Sequence, residues 1–280
     1  MAVLPSDNDV IDRDPVQNSF KNFIVNYDYL FFFLFAFCFT WGLAILVART
    51  SAPVEGEKVS LLDFILKAAI PVHGPHMAAV LLTYLRAGKP GLKALYSKAI
   101  KLNVGIQWYL IAFFLPFIII LIAEILAALG GETIPFSSVP VSLIIVYFIL
   151  FLIVPGIGEE MGWRGYAQPA LQRKFNPTIS SLVIGIFWGL WHFPSFLDPT
   201  SIYRDANFGM FLIMVVALAV IYGWMYNNTG SIFFPIIYHT MHDLATSVLY
   251  NPNINVVVHV IIALILIVRD RGKRSVLPGM

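Results

Sequence analysis

The sequence predicts an all-α protein: a polytopic transmembrane helical bundle of about eight spans. Three observations lead there. Hydrophobic residues make up 59% of the 280-residue chain and charged residues only 12%, whereas a soluble domain is typically about 25% charged. Apolar stretches recur at the ~17–25 residues that a membrane-crossing helix requires. No polar stretch is long enough to fold alone, so the chain reads as one membrane domain.

The first apolar segment, near 30–48, is rich in aromatics and follows a polar N-terminal tail, 1–29. No small-residue cleavage pattern precedes Arg49, so the segment reads as an anchor and not as a removed signal peptide. The second, near 61–86, is the least apolar. It contains Asp63, Lys67, Pro71, His73, Pro75 and His76, and is expected to begin as an interfacial helix. The remaining segments lie near 107–129, 139–157, 179–194, 208–226, 230–249 and 254–268. Residues 30–268 thus form the transmembrane catalytic domain, with its motifs in 159–247, and 269–280 form a basic C-terminal tail.

Lys and Arg set the orientation. With a cytoplasmic N-terminus, the inside regions hold Arg13 and Lys21, the set from Arg86 to Lys101, then Arg164, Arg173 and Lys174, and the C-terminal group from Arg269 to Arg274. Only Arg49, Lys58, Lys67 and Arg204 fall outside. The bias places both termini in the cytoplasm. A net charge of +2 without a basic tract gives no sign of a nucleic-acid partner. Cys38 is the only cysteine, which excludes an intrachain disulfide. HExxH, GxSxG and Walker motifs are all missing, which excludes the common zinc-protease arrangement, the nucleophile elbow and a P-loop ATPase.

The candidate site residues are ionisable groups beside or within apolar segments, where each charge costs roughly 3 kcal/mol or more. Glu160 and Arg164 stand four apart in GEEMGWRGY, so on a helix they face and neutralise one another. Glu159 then points about 100° away and has no local partner. That leaves it as the acid free to act as a general base. The stretch 158–172 continues in helical register, and Pro155–Gly156 offers a break in the long helix that results. At ~1.5 Å per residue, Glu159 and His192 lie at similar depth from a turn at Lys174–Pro177. Trp188 is four residues before His192 and packs along its ring. His239, His242 and Asp243 share one face of the seventh span, and a hydrogen bond from His239 to Asp243 would fix the imidazole tautomer. Carboxylates and imidazoles on separate buried helices are suited to activating a water molecule. His73 and His76 read as an interfacial turn, Glu124 as reaching the interface or lining a cavity, and His259 as structural.

These motifs are similar to those of the CAAX-processing and bacteriocin-processing membrane endopeptidases, also called the Abi family, which includes the Rce1-type CAAX prenyl protease. The family's Glu-Glu-x-x-x-Arg is met by Glu159, Glu160 and Arg164. Its aromatic four residues before His is met by Trp188 and His192, with Trp for the usual Phe. Its His-x-x-x-Asn is met by His239, with Asp243 in place of Asn. The resemblance implies an intramembrane endopeptidase acting on a membrane protein or lipidated peptide within the lipid bilayer. It implies that Glu159 activates water, that His192 positions it, and that His239 and residue 243 stabilise the oxyanion. It also implies a catalytic cavity open to the cytoplasm, consistent with a plasma-membrane location. No cofactor is expected; if zinc is used, Glu159, His192 and His239 are the expected ligands. An ionised Asp243 only accepts hydrogen bonds, where Asn could donate one. The competing readings are a transporter or proton-relay protein, and a non-catalytic bacteriocin-immunity or scaffold protein of the same fold.

Overall fold

The computed structural model describes residues 15–50, 69–134, 140–198, 201–249 and 251–271, with side chains of the first stretch described for 27–47. The described residues form helices and no β-sheet. The principal helices are α1 (Pro15–Thr50), α2 (Gly74–Ala99), α3 (Ile106–Leu129), α4 (Val141–Gln172), α5 (Pro177–Trp191), α6 (Phe208–Thr229), α7 (Phe233–Val248) and α8 (Pro252–Arg269). Among the described residues, six stretches are long and apolar enough to cross a membrane: Tyr27–Val47, α3, α4, Pro177–Leu197, α6 and α8. The other two fall short for visible reasons. α2 carries Arg86, Lys89, Lys93 and Lys98, and α7 is 16 residues long and carries His239, His242 and Asp243.

Two boundaries differ from the sequence reading. α1 starts at Pro15 and bends at Tyr27 (φ −122°, ψ 16°), so much of the expected tail is helical before the membrane segment begins. α2 runs on to Ala99, well past residue 86. It bends at Gly88, whose φ of 58° only glycine adopts readily, just before Pro90. Asp63 and Lys67 lie outside the described residues.

Local chemistry explains the helix ends. Asn176, Asn207 and Asn251 each cap a helix, the side-chain oxygen accepting from the backbone N–H of Ile179, Met210 and Ile254 respectively. Pro177 and Pro252 follow two of these caps in the first turn, where a missing N–H is harmless. Gly230 closes α6 in the left-handed conformation (φ 61°), its N–H returning to the Tyr226 carbonyl. Pro155 interrupts the helical hydrogen bonding of α4, and Leu152–Ile157 forms a π-helical turn. A second π turn, Trp163–Ala167, follows. Between and around these wide turns every residue from Gly158 to Gln168 is buried. This stretch of α4 is therefore the axis of the bundle.

Glycines let the neighbouring helices approach closely. A Cβ on Gly162 would fall 2.5 Å from the Pro75 backbone, bringing α2 against α4. A Cβ on Gly185 would fall 2.7 Å from Val216 Cα, bringing α5 against α6. In lipid, such packing replaces the hydrophobic drive that water would supply. At one end of the bundle Asp28, 1% exposed, accepts hydrogen bonds from Arg86, Tyr166 and Arg173, tying α1, α2 and the α4–α5 turn together. Lys101 Nζ donates to the Thr229 carbonyl (2.7 Å), joining the α2–α3 and α6–α7 connections. Glu124 is buried in α3 and accepts from Asn251 N–H and Asn255 Nδ2, so it braces α3 to α8 and does not reach the interface.

The Asp28 clamp predicts a measurable stability loss. Asp28→Ala removes three charge-assisted or hydroxyl hydrogen bonds, although both arginines retain some solvent contact. The expected loss is about 1.5–3 kcal/mol, read as a lower unfolding temperature in detergent micelles. An unchanged unfolding temperature would show that the three elements are held together without it.

Candidate active site

The site is built where α4, α5, α6 and α7 meet. Glu160 and Arg164 are fully buried, and Arg164 Nη1 donates to Glu160 Oε1 at 3.0 Å and lies 3.0 Å from Oε2. The predicted i,i+4 pair is therefore present. The guanidinium also sits over two aromatic faces, 4.8 Å from the Tyr222 centroid and 5.1 Å from that of Trp188. Such cation–π contacts stabilise a desolvated cation by up to ~2 kcal/mol. Tyr222, on α6, carries no charge pattern that would single it out in the sequence.

Glu160 has a second partner across the bundle. His239 Nδ1, on α7, lies 3.0 Å from Glu160 Oε1. This corrects the expected pairing. His239 Nε2 lies 3.6 Å from Asp243 Oδ2, too far for a hydrogen bond. Asp243 Oδ1 is closer to His242 Nδ1, at 3.3 Å. His239 thus has a carboxylate facing each ring nitrogen, and both faces are served when each nitrogen carries an N–H. His242 also packs edge-on against His259, whose Nδ1 donates to the Asn255 carbonyl (2.8 Å), the structural role expected of His259.

Glu159 has no partner on its own helix, as expected, but it has one across the bundle. Trp188 Nε1 on α5 donates to Glu159 Oε2. The contact places Glu159 level with Trp188, one turn before the His192 expected at that depth. His192 follows one turn later, at the end of α5. Its Nδ1 lies 2.9 Å from the Trp188 carbonyl, so it donates there and leaves Nε2 as the acceptor. The His192 ring is flanked by Trp191, Tyr203 and Phe211. Trp188 thereby touches Glu159, Arg164, His192 and His239. Sequence spacing reveals its contact with His192, whose ring lies tilted at 58° to the indole; its indole donor could be recognised only once the partner helix was in place.

Among the described residues no three His, Cys, Asp or Glu side chains are grouped to hold a metal ion. Glu159 Oε2 is occupied by the indole and His192 Nδ1 by a carbonyl. His73 and His76 flank the α2 start as a turn, and the His73 ring packs against Gly158, where a Cβ would come within 3.2 Å of Nδ1.

The buried pair predicts a stability defect distinct from any effect on chemistry. Arg164→Ala would strand the Glu160 carboxylate, and breaking a fully buried pair costs about 3–5 kcal/mol. Unfolding in micelles should therefore occur at clearly lower temperature. An equally stable variant would mean that water reaches Glu160.

Comparison with known proteins covers this same region. Residues 141–245 match the family model described as type II CAAX prenyl endopeptidase Rce1-like. A curated relative, CAAX prenyl protease 2 of Methanococcus maripaludis, is 34% identical over 122 residues, which cover 41% of this chain and 42% of the relative. The alignment thus spans about two fifths of that protein's length. Together with the apolar helices, the match makes this an integral, multi-pass membrane protein. The matched stretch holds Glu159, Glu160, Arg164, Trp188, His192, His239 and Asp243, and over it the chain is similar to the Rce1-like CAAX prenyl endopeptidases.

Proposed function

We propose that the protein is an intramembrane endopeptidase that hydrolyses a peptide bond in a membrane-associated substrate, with a prenylated CAAX-type peptide as the first candidate. The observation that carries this reading is the unequal treatment of two adjacent buried carboxylates. Glu160 is neutralised by Arg164 and His239. Glu159 is 3% exposed and receives one indole hydrogen bond on Oε2, while Oε1 has no hydrogen-bond partner among the described residues. The free oxygen is placed to take a proton from water.

In this mechanism Glu159 removes that proton as the water oxygen attacks the peptide carbonyl. His192 Nε2, the acceptor nitrogen, orients the same water. Negative charge developing on the carbonyl oxygen is met by an N–H at His239 Nε2, the ring being held through Nδ1 by the Glu160 carboxylate. The proton taken by Glu159 passes to the leaving amine as the C–N bond breaks. The scheme is written with these side chains alone; a zinc ion, if used, would draw on Glu159, His192 and His239.

The eight-span arrangement with both termini cytoplasmic belongs to the same proposal. Asp28 at the start of the first span meets Arg86 near the end of the second, so α1 and α2 form an antiparallel pair. That supports counting α2 as a crossing. Arg173 joins the same cluster, and Lys101 meets Thr229; these are the connections that the charge bias assigns to the cytoplasm. A cytoplasm-facing site and a plasma-membrane location are part of the same proposal.

The test uses the full chain in proteoliposomes with a peptide carrying a prenylated cysteine four residues from its C-terminus. Glu159→Gln should reduce cleavage by ~10²–10⁴-fold while the unfolding temperature stays near that of the parent. Parent-like turnover would remove Glu159 from the chemistry. Asp243→Asn should retain measurable cleavage, because the amide can itself donate a hydrogen bond, whereas Asp243→Ala should lose most of it. Equal inactivity of the two variants would show that the carboxylate is required.

A further inference from the structure

We propose that Trp188 is a positioning residue that aims the Glu159 carboxylate through its indole N–H, an inference that rests on the water-activating role of Glu159. The indole Nε1 donates to Glu159 Oε2. A carboxylate held by one oxygen cannot rotate freely about its terminal bond, so its second oxygen keeps a fixed direction. The same residue holds the other water-facing group by a separate route, its backbone carbonyl accepting from His192 Nδ1. One residue therefore orients both groups, one through its side chain and one through its main chain.

The placement of Trp188 is itself over-determined. Gly185 stands about one turn before it, and a Cβ there would press into the α6 backbone at Val216 Cα (2.7 Å), while one on Gly189 would meet the end of the Leu212 side chain. The α5 backbone thus lies close against α6 just before Trp188. The ring is 3% exposed and is enclosed by Arg164, Tyr222 and His239. A side chain packed on every face has little freedom to swing, and its hydrogen bond needs no ordering when substrate arrives. Phenylalanine would fill much of this space and keep an aromatic face for Arg164, but it has no donor.

Two substitutions separate the donor from the ring. Trp188→Phe removes the N–H, and 3-benzothienylalanine incorporated at position 188 replaces N–H by sulfur in a fused ring of the same shape. A hydrogen bond to a charged group is worth enough to change kcat by roughly 10-fold to 100-fold. Both variants should show that drop, with KM for the prenylated peptide unchanged and the unfolding temperature near that of the parent. The indole resonance of Trp188, observed in nitrogen-15-labelled protein in micelles, should move when Glu159 is replaced by Ala. Parent-like kcat in the benzothienyl protein, or a Trp188 resonance that ignores Glu159→Ala, would overturn the proposal. If Trp188→Phe fails to fold, the isostere decides alone. The two readings fail separately: parent-like turnover by Glu159→Gln overturns the water-activating role, whereas an inactive Glu159→Gln beside a fully active isostere overturns only the role of Trp188.

Discussion

The neutralisation of Glu160 by Arg164 is the interaction on which the rest of the site depends. A guanidinium and a carboxylate, both fully buried in a bundle of apolar helices, are tolerable only as a pair. Pairing them four residues apart on one helix satisfies most of the requirement before any tertiary contact forms. The tertiary fold then adds to it. Two aromatic rings lie against the cation, and His239 from α7 shares the anion. Because Glu160 is spoken for, its neighbour Glu159 remains available, and the two adjacent acids acquire different chemical characters from their surroundings.

The geometry of α4 makes this possible. An ordinary α-helix with one buried stripe would turn one of two consecutive glutamates toward lipid. Here the helix is enclosed by its neighbours along 158–168, and wide π turns lie before and after the acidic pair. Such turns are frequent at functional sites, since they redirect side chains without ending the helix. Glycines at 162 and 185 permit the enclosure by letting backbones approach where a methyl group would collide. The polar contacts at the two ends, Asp28 with its arginines and Glu124 with Asn251 and Asn255, fasten the outer helices around that axis.

The aromatic residue ahead of His192 shows how a local motif changes meaning in three dimensions. As a pattern, an aromatic one turn before a histidine indicates stacking. In the folded protein the ring lies among the acid, the cation and both histidines, and its one polar atom meets Glu159. A phenylalanine in the same place would preserve the packing and leave Glu159 Oε2 without this donor. The identity of the residue thus bears on how the acid is held as well as on how the helices fit.

The sequence by itself determined the features that depend on composition and on periodicity within one helix. These are the apolar helices and the Glu160–Arg164 pair. Each follows from hydropathy or a spacing of four, and neither needs a neighbouring helix. Only the tertiary structure decided the partners that cross between helices. It gave His239 to Glu160, where the spacing on α7 pointed to Asp243, and it gave Glu159 an indole. It drew Asp28 to Arg86 and Arg173. Spacing along a helix tells which side chains share a face, but it carries no information about which residue of another helix will stand opposite. That is settled by how closely the backbones can pack.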